Sequence, residues 1–132
     1  MDMNAIMGTA LAGMEVAVKK FEVSARNVVN QGTVGTPDTE GARAAYKAVE
    51  AIQTSDADGS PSVTVRERNP STFRAYAPSN PLASDDGLVE IPNVDLASEI
   101  ANQQMAMQSY KANIKVFEIW NDMQKTALDI KT

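Results

Sequence analysis

From Met3 to Asn30 the chain has no proline, and Met3, Met7, Ala10, Met14, Ala17, Phe21, Ser24 and Val28 follow one another at alternating spacings of four and three. That alternation keeps one helix face apolar, so it predicts a long N-terminal helix with a heptad seam in which Ser24 is the one polar member. On the helical wheel Leu11, Val18, Ala25 and Val29 widen the seam. Glu15, Lys19, Glu22 and Arg26 gather on a solvent face, where Glu15/Lys19 and Glu22/Arg26 stand at i,i+4. A smaller set, Ala5, Ala12, Val16 and Val23, points in a third direction.

A second long helix is predicted to begin near "PNVDLASEI", where Asn93 or Asp95 is placed to cap the first turn, and to run without Pro or Gly to about Lys131. Its length would be roughly 55 Å. One arc of its wheel holds Leu96, Ile100, Met107, Tyr110, Ile114, Phe117 and Leu128. A second holds Met105, Val116, Ile119, Trp120, Met123, Ala127 and Ile130. Charged residues (Lys111, Lys115, Glu118, Asp122, Asp129) separate the arcs on one side, and Asn113, Gln124 and Lys131 on the other.

Between the helices, residues 31–92 hold all six prolines and most of the glycines. "GARAAYKAVEAIQ" is compatible with a helical turn or a strand pair. "SVTVRER" alternates as a strand with Val63 and Val65 inward and Arg66 or Arg68 outward. Asp-Gly pairs at Asp58-Gly59 and Asp86-Gly87 mark turns, the second leading into a short strand over residues 88–91. The expected fold class is therefore mainly α: long N- and C-terminal helices paired as an antiparallel coiled coil, with a small extended or β-hairpin middle segment. The expected units are 1–31, 32–92 and 93–132.

A two-helix hairpin covers one face of each helix, and each Leu- or Ile-sized side chain left in water forfeits about 1.5–3 kcal/mol. Something else must cover the second arcs. The middle is too poor in apolar residues, and a charge-balanced polar face does not favour a membrane surface. Other copies of the chain remain as the favoured cover. On that basis the intrachain seam is expected to use Met7, Met14, Phe21, Met107, Tyr110, Ile114 and Phe117, with Val116, Ile119, Trp120, Met123 and Ile130 facing neighbours.

Composition narrows the chemistry. The 132 residues include no Cys and no His, which removes disulfides, thiolate sites, imidazole catalysis and most transition-metal sites. A net charge of −5 argues against a nucleic-acid surface. No uncharged apolar run approaches the roughly 20 residues needed to span a bilayer. "SDADGS" starts like a calcium loop but lacks the third donor and the closing Glu, and adjacent Asp85 and Asp86 would face opposite sides of a strand, so both read as turns. No catalytic residue, cofactor or metal is expected. The seven methionines are divided between core filling and an adaptable interface. The amides Asn27, Asn30 and Gln31 on the first helix, and Asn102, Gln103, Gln104, Gln108, Asn113 and Asn121 on the second, read as neutral hydrogen-bonding surface. Such groups suit register fixing between helices, the lining of a watery channel, or ordinary helix surface.

Three stretches carry a resemblance. "SARNVVNQGT" resembles the "SA.NIAN..T" motif that ends the N-terminal helix of flagellar axial proteins, the rod and hook family, matched by Ser24, Ala25, Asn27, Asn30 and Thr33. The C-terminal "MAMQSYKANIKV" is similar to that family's terminal helix, including Met107, Tyr110 and Asn113. "YAPSNPLASDDGLVEIPNVDLASEI" resembles a segment of its proximal rod members through Pro81, Leu82, Gly87, Pro92 and Asn93. Asn80 and Leu88 stand where His and Tyr are usual.

The resemblance implies a non-enzymatic structural subunit of the flagellar basal-body rod that surrounds an export channel and transmits torque toward the hook. Implied partners are copies of itself, other rod proteins, and membrane-ring or export-gate proteins at the rod base, without nucleic acid or direct membrane insertion. It further implies export through the flagellar type III apparatus into the periplasm without a cleaved signal. The rival readings are a helical adaptor or secretion chaperone of such an export system, and a carboxylate-dependent hydrolase using Asp85 or Asp86.

Overall fold

The computed structural model describes residues 2–131; the outer limits drawn at Met1 and Thr132 lie outside them. Two long helices dominate, α1 over Met3–Asn30 and α2 over Leu96–Lys131. Asp2 caps α1 by accepting from the Ala5 N–H at 2.8 Å. Asp95 caps α2, accepting from the Ser98 N–H at 3.3 Å and its hydroxyl at 2.6 Å. Those two bonds, the hydroxyl's first, hold the Asp95 carboxyl below its usual range. Among the described residues no helix is long and apolar enough to cross a membrane.

The middle segment is two ribbons rather than one hairpin. β1 (Val49–Ser55) pairs antiparallel with β2 (Pro61–Glu67) in the register Val49↔Glu67 to Ser55↔Pro61. β3 (Thr72–Tyr76) pairs antiparallel with β4 (Leu88–Pro92). "GARAAYKAVEAIQ" contributes a single 3-10 turn at Gly41–Arg43 and then most of β1, one strand whose partner lies beyond it rather than a strand pair of its own. β3 escaped the sequence pattern because exposed aromatics, Phe73 and Tyr76, stand on opposite faces of the strand, so no polar alternation marks it. Both Asp-Gly pairs sit in turns whose glycines have positive φ, +84° at Gly59 and +76° at Gly87, a conformation that glycine adopts without a Cβ clash.

The helices run antiparallel, as Ser24 meets Glu99 while Gly13 meets Asn113. The expected seam of α1 holds large and small members alike, and the small ones make the centre of the contact. Ala10, Ala17 and Ser24 of α1 are buried, as is Ala106 of α2, and a Cβ on Gly13 would lie 2.7 Å from Asn113 Oδ1. Met7, Met14, Ile114 and Phe117 are only half-buried beside this stripe, and Phe21, Met107 and Tyr110 stand exposed at its edge. The face of α1 carrying Val16 and Val23, a minor direction on the wheel, is buried, and α1 contacts both β1 and β2. Three directions of α1 therefore compete for burial, and the narrow small-residue stripe takes α2 because it permits the closest approach.

Gly35 ties the start of the middle segment to β4, with its N–H donating to Glu90 O at 2.9 Å and its carbonyl accepting from the Glu90 N–H at 2.8 Å. Any Cβ there would overlap the backbone of Ala44 and Ala45, with Ala44 C at 2.6 Å. Gly35→Ala is expected to destabilise the chain by about 1–3 kcal/mol or more. Gly8→Ala, at a helical site with open space around it, should stabilise it by about 1 kcal/mol. Urea denaturation of both variants checks the pair, and a neutral Gly35→Ala would show that the close approach carries no constraint.

Candidate functional site

The buried polar residues collect where α1, α2, β1 and β2 meet. Asn27, fully buried near the C-terminal end of α1, uses all of its hydrogen-bonding capacity. Its Nδ2 donates to Val49 O at 2.8 Å and to Glu99 Oε1 at 3.1 Å. Its Oδ1 accepts from the Val49 N–H at 3.0 Å and from the Tyr46 hydroxyl at 2.9 Å. An amide offering donor and acceptor side by side thus occupies the place of a neighbouring strand at Val49.

Glu99, only 1% exposed on the first turns of α2, is held by Arg68, which follows β2 directly and whose Nη2 donates to Oε1 at 2.9 Å. The same guanidinium donates through Nη1 to Asn93 O at 2.8 Å. Asn93 in turn donates from Nδ2 to Pro70 O at 2.7 Å and from its backbone to Ser71 O at 3.0 Å. Ser24 closes the ring by donating to Glu99 O at 2.9 Å. A buried carboxylate is tolerated only with partners of this kind, and here it receives two side-chain donors. Burial pushes the Tyr46 phenol above its usual value of 10, against the opposing pull of Arg26.

Of the residues that carried the resemblance, Ser24, Asn27 and Asn93 converge on this junction. Asn27 is therefore not helix surface. Asn30 turns back onto Arg26 O and accepts on its own carbonyl from the Thr33 hydroxyl, closing the end of α1. Ala25 is half-buried, Pro92 buried and Pro81 exposed. Leu82 O receives the Thr36 hydroxyl at 2.7 Å, and Gly87 lies beneath Tyr76 and Pro78. Asn113 bonds back to Ser109 O. Sequence reasoning missed Glu99, Arg68 and Tyr46. An acidic residue among Leu96, Ile100 and Met107 was the available signal for Glu99, whereas the strand alternation offered Arg66 or Arg68 as the outward residue, and it is Arg66 that faces water while Arg68 turns in to its ion pair.

The flanks of the helix pair form the other part of the site. Phe21, Met107 and Tyr110 are brought together with Ala17, Val18 and Ala106 around an apolar cleft of about 160 Å³. On the opposite flank a groove of about 460 Å³ runs between the helices and β1, past Lys20, Met105 and Ser109. Val116, Ile119, Met123 and Ile130 are exposed on α2, Ile130 at 81%. Trp120 differs from them: it is half-buried against Phe117, with ring centroids 6.1 Å apart, and its Nε1 is buried without a hydrogen-bond partner. Among the described residues there is no cluster of carboxylates able to hold a metal ion. Asp85 and Asp86 sit exposed in the turn before Gly87.

A helix pair with exposed apolar flanks, pinned at one end to β-ribbons, is the form of a subunit built to pack. Residues 85–130 match the family described as flagellar basal body rod FlgEFG protein C-terminal. Across nearly its whole length the chain is also similar to flagellar basal-body rod protein FlgC of Salmonella typhimurium, 34% identical over 127 residues that cover 95% of this chain and 92% of that one. The same protein of Escherichia coli O157:H7 is 32% identical over the same coverage, and that of Agrobacterium fabrum 29% over 90% and 88%. The chain belongs to the FlgC family of flagellar basal-body rod proteins.

Removing Arg68 leaves the Glu99 carboxylate buried with no cation, so Arg68→Ala should cost about 3–5 kcal/mol, and adding Glu99→Gln should restore part of that loss. Urea midpoints of the single and double variants measure it, and simple additivity would mean the two side chains are uncoupled. Tyr46 adds a pH dependence. Its folded pKa is raised, so its contribution is complete below the unfolded value near 10 and disappears as pH climbs through the folded one. Between about pH 9 and 11 the wild-type midpoint should fall more steeply than that of Tyr46→Phe.

Proposed function

We propose that this chain is a structural subunit of the flagellar basal-body rod, without enzymatic activity, that packs with copies of itself and other rod proteins around an export channel. Its membership of the FlgC family along 95% of its length supports this reading. The observation that carries it in the fold is the seating of α2 on the small-residue stripe of α1, which leaves apolar arcs of α2 uncovered on both sides. In the rod those arcs are the faces that meet neighbours, with Val116, Ile119, Trp120, Met123 and Ile130 on one of them. Helices so covered form a coiled-coil wall and pass torque from the membrane ring toward the hook. The base of the rod meets membrane-ring or export-gate proteins, and the subunit reaches the periplasm through the flagellar type III apparatus.

Mass spectrometry of purified basal bodies should find the chain in stoichiometric amount. Ile119→Asp, which would place an unpaired carboxylate in an apolar contact, should lower its incorporation by roughly tenfold or more while the helix content of the free chain is kept. Equal loss of helix content and incorporation would count against separate internal and external faces. A chain found free and compact in the cell, absent from basal bodies, would favour a secretion adaptor instead.

A further inference from the structure

The face that α1 turns inward nearly repeats itself every seven residues: Ala10, Ala17 and Ser24 are small and buried, and Val16 and Val23 are buried beside them. Moving α1 by one heptad toward its C-terminal end, a shift of about 10.5 Å, sets Ala17 where Ser24 lies, Ala10 where Ala17 lies and Val16 where Val23 lies. Shape along this stripe thus offers α2 and the ribbons two registers. The connection has slack for the shift. Thr33 now folds back, its N–H donating to Asn30 O at 3.1 Å, whereas the chain from Asn30 to Gly35, when extended, spans about 17 Å.

Two positions break the repeat. Lys20 stands one heptad before Asn27. In the shifted register its ammonium would arrive at Val49 with donors and no acceptor. The Val49 N–H and the Tyr46 hydroxyl, which donate to Asn27 Oδ1 at 3.0 and 2.9 Å, would then lose their partner. Ile6 stands one heptad before Gly13. A Cβ on Gly13 would already lie 2.7 Å from Asn113 Oδ1, so the shift drives a branched side chain into Asn113. We propose that Asn27, seconded by the notch at Gly13, selects the register of the helix pair from two that the small-residue heptads otherwise permit. A polar group at one seam position fixes alignment because only one alignment satisfies it.

The absence of cysteine lets introduced pairs report the register. A disulfide needs Cα atoms within about 7 Å, less than the roughly 10.5 Å of the shift. In the full-length chain Ala106→Cys is combined with Ala17→Cys, which lines the same cleft, or with Ala10→Cys, which the shift would bring there. Each pair is placed in the unaltered chain, in one lacking both determinants (Asn27→Leu, Asn113→Ala), and in one with the amide moved a heptad (Lys20→Asn, Asn27→Lys, Asn113→Ala). The chains are oxidised at high dilution, bridges are read by peptide mass spectrometry, and helix content is followed by circular dichroism. In the unaltered chain the Ala17 pair should bridge and the Ala10 pair should not. Removing both determinants should raise the Ala10 bridge by roughly tenfold or more. Moving the amide should make that bridge the main product. An Ala10 bridge as frequent in the unaltered chain, or absent from both altered chains while their helices persist, overturns the proposal. Should removal unfold the helices, the moved amide decides: bridging through Ala17 alone, or loss of helix there too, means that no second register exists.

Discussion

The Asn27 side chain is the point on which the rest of the structure depends. It is an amide at the end of a helix that satisfies four partners at once, two on the Val49 backbone, one on Tyr46 and one on Glu99. Through it α1 is fixed to β1 and, by way of Glu99 and Arg68, to α2 and the end of β2. A buried network of this kind is costly when half made, because each unpaired member loses about 1–3 kcal/mol. The helix ends and the ribbons consequently order together.

Away from the junction the helices depend on shape alone. Ala10, Gly13 and Ala17 against Ala106 and Asn113 bury little area per residue, so the pair gains close approach more than hydrophobic free energy. Most of the larger apolar side chains of the pair are left half-buried or exposed. In a monomer that arrangement is wasteful, and it becomes economical only when neighbours cover the flanks.

Much of this was legible in the residues. Both helices, the Asp95 cap of α2, the turns at Gly59 and Gly87 and the apolar arcs of α2 follow from periodicity and local chemistry, which act over a few residues. Less legible was which arc faces inward. The heptad seam holds Ala10, Ala17 and Ser24 beside Met14 and Phe21; hydrophobicity ranks the large members first, whereas close packing buries the small ones. The junction was hidden for a related reason: Asn27, Glu99 and Arg68 each look like ordinary polar surface, and only the fold brings residues so distant in sequence within 3.1 Å. The resemblance in "SARNVVNQ" flagged Ser24 and Asn27, but not what they hold.

The small-residue contact also sets a mechanical texture. Helices meeting through alanine and glycine stand near the lower end of the usual 8–10 Å separation, while contacts filled by Met, Phe and Ile stand near the upper end. A wall of such chains would alternate narrow, stiff joints within each copy with wider joints between copies. Thioethers in the wider joints shift rotamer at little cost. Flexing of the tube would then concentrate between subunits, and each helix pair would behave as a nearly rigid stave.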